Sequence, residues 1–159
     1  MWHTAITRQM NVDLPFVGAG MAIFGGPDLT AAVSEAGGLG LFCLGPPAPS
    51  MLGEAIDDIR RRTRRPFGVD FIVEDTAFGP VTTDAHIAIA AEKRVPLCVF
   101  FWNPPRPHWI ETLRAAGAKL WGTAYSVDSA LELQTLGMDA IILQSSEAGG
   151  HVRAQDSAV

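Results

Sequence analysis

Leu136-Gly137-Met138-Asp139-Ala140 carries the reading that decides the fold. It closes a segment with helical spacing, sets a glycine where a helix needs a left-handed residue to stop, and opens the apolar run Ala140-Ile141-Ile142-Leu143. Ala115-Ala116-Gly117-Ala118 makes the same transition, and Glu35-Ala36-Gly37-Gly38-Leu39 makes a similar one. Helix, glycine and apolar strand in succession indicate parallel strands joined by crossover helices, because strands covered on both faces read as continuous apolar runs.

Outward from these transitions, strands are predicted near Pro15–Ala19, Gly38–Cys43, Phe67–Ile72, Pro96–Phe101, Lys119–Thr123 and Ala140–Leu143. Helices are predicted near Asp28–Glu35, Met51–Thr63, Asp84–Lys93, Pro107–Ala115 and Val127–Leu136, with Asp28 and Ser126 as N-caps. The units recur at about 20 to 30 residues without a low-complexity linker, so residues 1–159 read as a single α/β domain. Periodicity alone does not choose between an open doubly wound sheet and a closed barrel. A full barrel takes roughly 200 to 250 residues. With about six strands and eight residues after His151, the expectation is a partial TIM (β/α) barrel of six parallel units, the last two missing.

Composition excludes several classes. The 159 residues are 48% hydrophobic and 18% charged, enough apolar material for a buried core, with a formal net charge of −5. The basic run Arg60-Arg61-Arg62 with Arg64-Arg65 falls where a helix ends and suits the negative end of its dipole, so nucleic acid is not expected as a partner. Cys43 and Cys98 lie inside apolar runs and read as buried thiols. His3, His86 and His108 share no metal-ligand spacing and read as surface or helix-edge residues, so no metal is expected. Asp57 and Asp58, adjacent on a helix, point about 100° apart and read as a solvated face. No basic region followed by an apolar stretch and cleavage site is read at the N-terminus and no apolar window reaches membrane-spanning length, so a soluble cytoplasmic protein off the membrane is the expectation.

In parallel α/β architectures ligands bind at the carboxyl ends of the strands. The segments that follow the strands here are Gly18-Ala19-Gly20-Met21-Ala22, Asp70-Phe71, Trp102-Asn103-Pro104-Pro105 and Gln144-Ser145-Ser146-Glu147-Ala148-Gly149-Gly150-His151. In the last, Gly149 and Gly150 admit close approach of a flat or phosphorylated ligand, Gln144 offers donor and acceptor, and His151 suits a general base. Alone, this stretch reads first as an exposed histidine in a turn. Trp102, Trp109 and Trp121 are open between lining a substrate mouth and packing.

The stretch Gln144 to His151 resembles the signature of nitronate monooxygenases, formerly called 2-nitropropane dioxygenases. Ala31-Ala32-Val33-Ser34-Glu35-Ala36-Gly37-Gly38-Leu39-Gly40, Arg65-Pro66-Phe67-Gly68-Val69-Asp70 and Phe100-Phe101-Trp102-Asn103-Pro104-Pro105 look like the same family, in its order. The resemblance implies FMN at the barrel mouth, with Met21, Ala22 and Asp70 near the flavin and Gln144, Gly149 and Gly150 in contact with it. It also implies that His151 takes the α-proton of a nitroalkane or orients a nitronate, with molecular oxygen as the second substrate.

Three residues depart from the family pattern: Gly20 for proline, Asp70 for asparagine and Ser145 for glycine. An ionised Asp70 would only accept hydrogen bonds and would set negative charge beside the ring. The family's later strands supply much of its phosphate nest, which residues 152–159 do not replace. Two alternatives stay open: a flavin-dependent enoyl-acyl-carrier-protein reductase of the same fold, and an inactive truncated fragment whose open sheet edges would favour a homo-oligomer.

Overall fold

In chain order the strands are β1 (Val17–Gly18), β2 (Leu39–Cys43), β3 (Phe67–Ile72), β4 (Asp75–Thr76), β5 (Gly79–Pro80), β6 (Leu97–Phe101), β7 (Lys119–Ala124) and β8 (Ala140–Leu143). The computed structural model describes residues 2–43 and 48–155, except the side chain of Ile23. Six of the strands form one parallel sheet in the order β1-β2-β3-β6-β7-β8, while β4 and β5 make a separate antiparallel hairpin. The six follow one another without reversal. A doubly wound sheet reverses its strand order at a switch point, so this sheet is a curled segment of a (β/α) barrel.

The helices are α1 (Ala5–Met10), α2 (Pro27–Glu35), α3 (Pro49–Arg62), α4 (Asp84–Glu92), α5 (Pro107–Ala115) and α6 (Val127–Thr135). The three glycine stops behave alike. Gly37, Gly117 and Gly137 have φ of 95°, 89° and 75°. In each case the glycine N–H returns to the last turn of the helix (Ser34, Arg114 and Gln134 carbonyls), and the next N–H reaches Val33, Leu113 and Leu133. Ser126 caps α6, accepting from the Ser129 N–H at 3.1 Å. Asp28 does not cap α2: Gly26 is the N-cap and Pro27 holds the first helical position, which leaves Asp28 inside the first turn, where its charge suits the dipole.

Alternation along the strands divides the core in two. Phe42, Phe67, Val69, Phe71, Cys98, Phe100 and Leu120 face α3, α4 and α5, packing with Ile56, Ile59, Ile87, Trp109 and Leu113. Leu39, Leu41, Leu97, Val99 and Trp121 face the inner side, where Met10 and Val12 cover them. The amino-terminal segment therefore lies across the amino ends of the strands. Asp13 and Leu14 donate to the Gly37 carbonyl before β2, Gln9 Nε2 reaches the Asp139 carbonyl before β8, and Trp121 Nε1 donates to Gln9 Oε1 at 3.2 Å. The carboxyl ends of the strands are left as the mouth.

Besides the Asp28 cap, two details differ from the sequence reading, and a third, left open there between mouth and packing, falls to packing. The first strand is only Val17–Gly18, flanked by extended chain. His86 is buried rather than peripheral, its Nδ1 3.1 Å from the Thr83 N–H in a capping box at the start of α4. Trp109 and Trp121 belong to the core. The basic run does serve structure: Arg60 donates to the Lys93 and Arg94 carbonyls, Arg61 and Arg62 pair with Asp58, and Arg65 pairs with Asp13. No described helix is long and apolar enough to cross a membrane.

Candidate functional site at the carboxyl ends of the strands

Two groups of side chains stand at the mouth. The first gathers around Asp70, near the end of β3 and in register with Cys43 of β2 and Val99 of β6. By alternation Asp70 and Cys43 face the inner side. Asp70 Oδ1 is sealed from solvent and has no hydrogen-bond partner among the described residues. That burial pushes the Asp70 carboxyl up to about 7. Below that pH the group is neutral and can donate, and above it the group is an ionised acceptor.

Gly20 lies directly against this carboxyl. A Cβ built there would sit 2.7 Å from Cys43 Cβ and 2.8 Å from Asp70 Oδ2, so no residue with a side chain fits without displacing its neighbours. Two departures from the family pattern, Gly20 and Asp70, are thus one change in space. The Cys43 thiol is pushed up to about 12, first by burial and then by the Asp70 charge, and is not a nucleophile near neutral pH. Beside it, Met21 is exposed at the rim, and Ala22 takes a left-handed φ of 43° as the chain enters a short 3-10 turn (Ala22–Phe24).

The second group is built on the segment after β8. Gln144 is fixed through its backbone N–H, which donates to the Ala124 carbonyl at 2.8 Å. Its carboxamide spans the loop: Nε2 donates to the His151 carbonyl at 3.0 Å, and Oε1 accepts from the Arg153 N–H at 2.9 Å. Within the loop Ala148 N–H closes a turn on the Ser145 carbonyl. Nothing lies within 4 Å of the Cβ positions of Gly149 and Gly150, and Gly150 has φ of 80°. The His151 ring is exposed and stands edge-on to Trp102, with centroids 6.4 Å apart and an interplanar angle of 88°. Trp102 itself has φ of 85°, a costly conformation for a side chain of this size and a mark of functional segments.

The groups are joined across the strand ends. Val73 N–H donates to the Phe101 carbonyl, Asn103 Nδ2 donates to the Val73 carbonyl at 2.7 Å, and Arg153 Nη1 donates to Asn103 Oδ1 at 3.0 Å. All seven sequence-predicted site residues, Met21, Ala22, Asp70, Gln144, Gly149, Gly150 and His151, thus lie on the carboxyl side of the sheet. They form two groups rather than one contact cluster. Tyr125 and Arg153 were not foreseen, because their roles depend on contacts between loops distant in sequence. Among the described residues no three His, Cys, Asp or Glu side chains are grouped to hold a metal ion.

A parallel barrel segment with polar and titratable groups at its carboxyl mouth defines the class: a (β/α)-barrel fold, in which ligand sites lie over the strand ends. The chain belongs to the nitronate monooxygenase family, whose model matches residues 3–158, and this is a family of oxidoreductases. It is 34% identical over 182 residues to a probable nitronate monooxygenase of Staphylococcus aureus (strain Newman), covering 95% of this chain and 51% of that protein. Among solved structures it resembles FabK from Thermotoga maritima with a TM-score of 0.88 at 33% identity, over 99% of this chain and 48% of that one. It also resembles nitroalkane oxidase from Streptomyces ansochromogenes, with a TM-score of 0.86 at 30% identity, over 98% of this chain and 52% of that one. The chain spans about half the length of the relatives it matches.

Proposed function

We propose that this protein acts as an FMN-dependent oxidoreductase that oxidises alkyl nitronates and nitroalkanes with molecular oxygen. The observation that carries the reading is the pairing, at one mouth, of an orphaned buried oxygen on Asp70 with an open glycine backbone next to His151. These residues fit a flavin. A flat heteroaromatic ring over the strand ends would lie beside the partly exposed Asp70 carboxyl, and Gly149 and Gly150 leave the space such a ring needs. Met21, Ala22, Asp70, Gln144, Gly149 and Gly150 would hold the cofactor, which supplies the two-electron oxidation and its reoxidation by oxygen.

The chain's own work is proton transfer and orientation. A neutral nitroalkane must lose its α-proton: the C–H bond breaks, the proton passes to the His151 imidazole, and the electron pair moves onto the nitro group as a nitronate. The Trp102 ring, edge-on to the imidazole, restricts its rotation. Asp70, when neutral, donates toward the cofactor without adding charge.

The test is flavin fluorescence quenching and visible absorption on mixing the chain with FMN, followed by oxygen consumption with a nitronate and with its neutral nitroalkane. Stoichiometric binding and oxygen-dependent turnover are expected. His151→Ala should keep FMN binding, lose about a hundredfold or more in kcat on the neutral nitroalkane, and lose much less on the preformed nitronate, which needs no base. Equal losses on both substrates would remove the general-base role. Failure to bind at high FMN concentration would overturn the reading. Turnover of an enoyl thioester with a nicotinamide donor, in place of nitronate and oxygen, would assign the site to an enoyl reductase instead.

A further inference from the structure

We propose that Arg153 is a positioning residue for His151, clamping the loop after β8 onto the ends of β6 and β7; the catalytic part of this inference rests on the proposed role of His151. The guanidinium lies over two aromatic rings, 4.2 Å from the Tyr125 centroid and 5.1 Å from the Trp102 centroid. Its Nη1 donates to the Trp102 carbonyl at 2.5 Å and to Asn103 Oδ1 at 3.0 Å. Its backbone N–H donates to Gln144 Oε1, whose amide nitrogen in turn holds the His151 carbonyl. The Trp102 ring completes the circuit, since His151 stands edge-on to it. Four residues from two loops, with Tyr125 from a third, thus fix one imidazole.

The residue type matters. Arginine presents a planar cation that stacks on both aromatic faces while one of its nitrogens, Nη1, reaches two oxygens; a lysine ammonium could donate to the oxygens but has no plane to lay over the rings. The loop needs such a clamp, because Gly149 and Gly150 carry no side chain with which to restrain the backbone next to His151. The same cation explains how Trp102 is held at its left-handed φ, because its carbonyl is pinned from the far side of the mouth.

Arg153→Ala and Arg153→Lys test the clamp in the full chain. Hydrogen exchange, with no cofactor or substrate present, should show the hydrogen-bonded loop amides of residues 148 and 153 exchanging about tenfold faster in Arg153→Ala, with the strands unchanged. In turnover assays kcat should fall about tenfold or more while KM stays within about twofold, as expected when the reacting geometry is lost but binding is not. Millimolar guanidinium should restore part of the lost rate in Arg153→Ala, and Arg153→Lys should fall between the two. Unchanged loop exchange in Arg153→Ala would overturn the proposal, as would a rise in KM at constant kcat, which would make Arg153 a substrate-anion contact. If wild-type protein turns over no nitronate, the proposed activity fails, and the loop exchange still decides the clamp.

Discussion

Gly40→Ala is expected to cost about 3 kcal/mol or more of folding free energy, a large share of the stability of a chain this size. The added Cβ would lie 2.0 Å from the Thr30 carbonyl oxygen and 2.8 Å from its carbonyl carbon, and both are backbone atoms of α2. No rotamer relieves such a clash. The helix has to move outward by more than an ångström, yet it is tied to this strand: Gly40 N–H donates to Ser34 Oγ at 3.2 Å, and Thr30 Oγ1 donates to the Leu41 carbonyl at 3.4 Å. Ser34 is buried, so displacement also breaks its hydroxyl's bond to the strand out of reach of water. Urea titration followed by circular dichroism measures the loss. Gly117→Ala is the control, since nothing lies within 4 Å of its Cβ position and only the strain of φ 89° is felt, about 1 kcal/mol. A Gly40→Ala midpoint no lower than that of the control would mean that α2 does not depend on this close approach.

Gly40 directly follows one of the helix, glycine, strand stretches from which the fold was read, and that reading succeeded for a physical reason. Covered strands must be apolar and helices must stop, and both demands leave marks within a few residues. The pairing order left no local mark. Whether Val17–Gly18 and Ala140–Leu143 belong to a reversing sheet or a curling one depends on which strands are neighbours, and only the sequential order β1-β2-β3-β6-β7-β8 decides it. Short elements were missed for a related reason. Helix α1 has six residues and a capping box built from Thr4 and Thr7, without the acidic N3 partner that usually announces one. The hairpin of β4 and β5 has strands of two residues, too short for alternation to be seen. At the site, the glycines and histidine of residues 144–151 were legible because they cluster in sequence. Arg153 was not, because its value comes from Trp102 and Tyr125.

The burial of Asp70 left no local mark in the sequence, and its titration gives the second large effect. The ordinary carboxyl value of 3.8 is raised to about 7 in the folded chain by burial. Between these values the folded protein holds a proton that the unfolded chain has lost, so folding stability falls as pH rises from about 4 and the loss is complete above about 7. A shift of this size corresponds to at most about 4 kcal/mol, and relaxation around an ionised carboxylate reduces it to about 2. Asp70→Asn removes the titration while keeping the shape. The variant should therefore match wild type near pH 4 and gain about 2 kcal/mol over it by pH 8, with the difference growing through the interval. Subtracting the two curves cancels the other carboxylates, whose surroundings the substitution does not alter. Parallel curves across the whole range would show that Asp70 is ionised in the folded chain. The same proton bears on the site: below about pH 7 the carboxyl can donate, and above it the carboxyl is an anion whose Oδ1 has no hydrogen-bond partner among the described residues. FMN affinity of the wild type should accordingly weaken as pH rises from 6 to 8, while that of Asp70→Asn stays level. A wild-type affinity that strengthens over this range would mean that the carboxylate, not the acid, faces the cofactor.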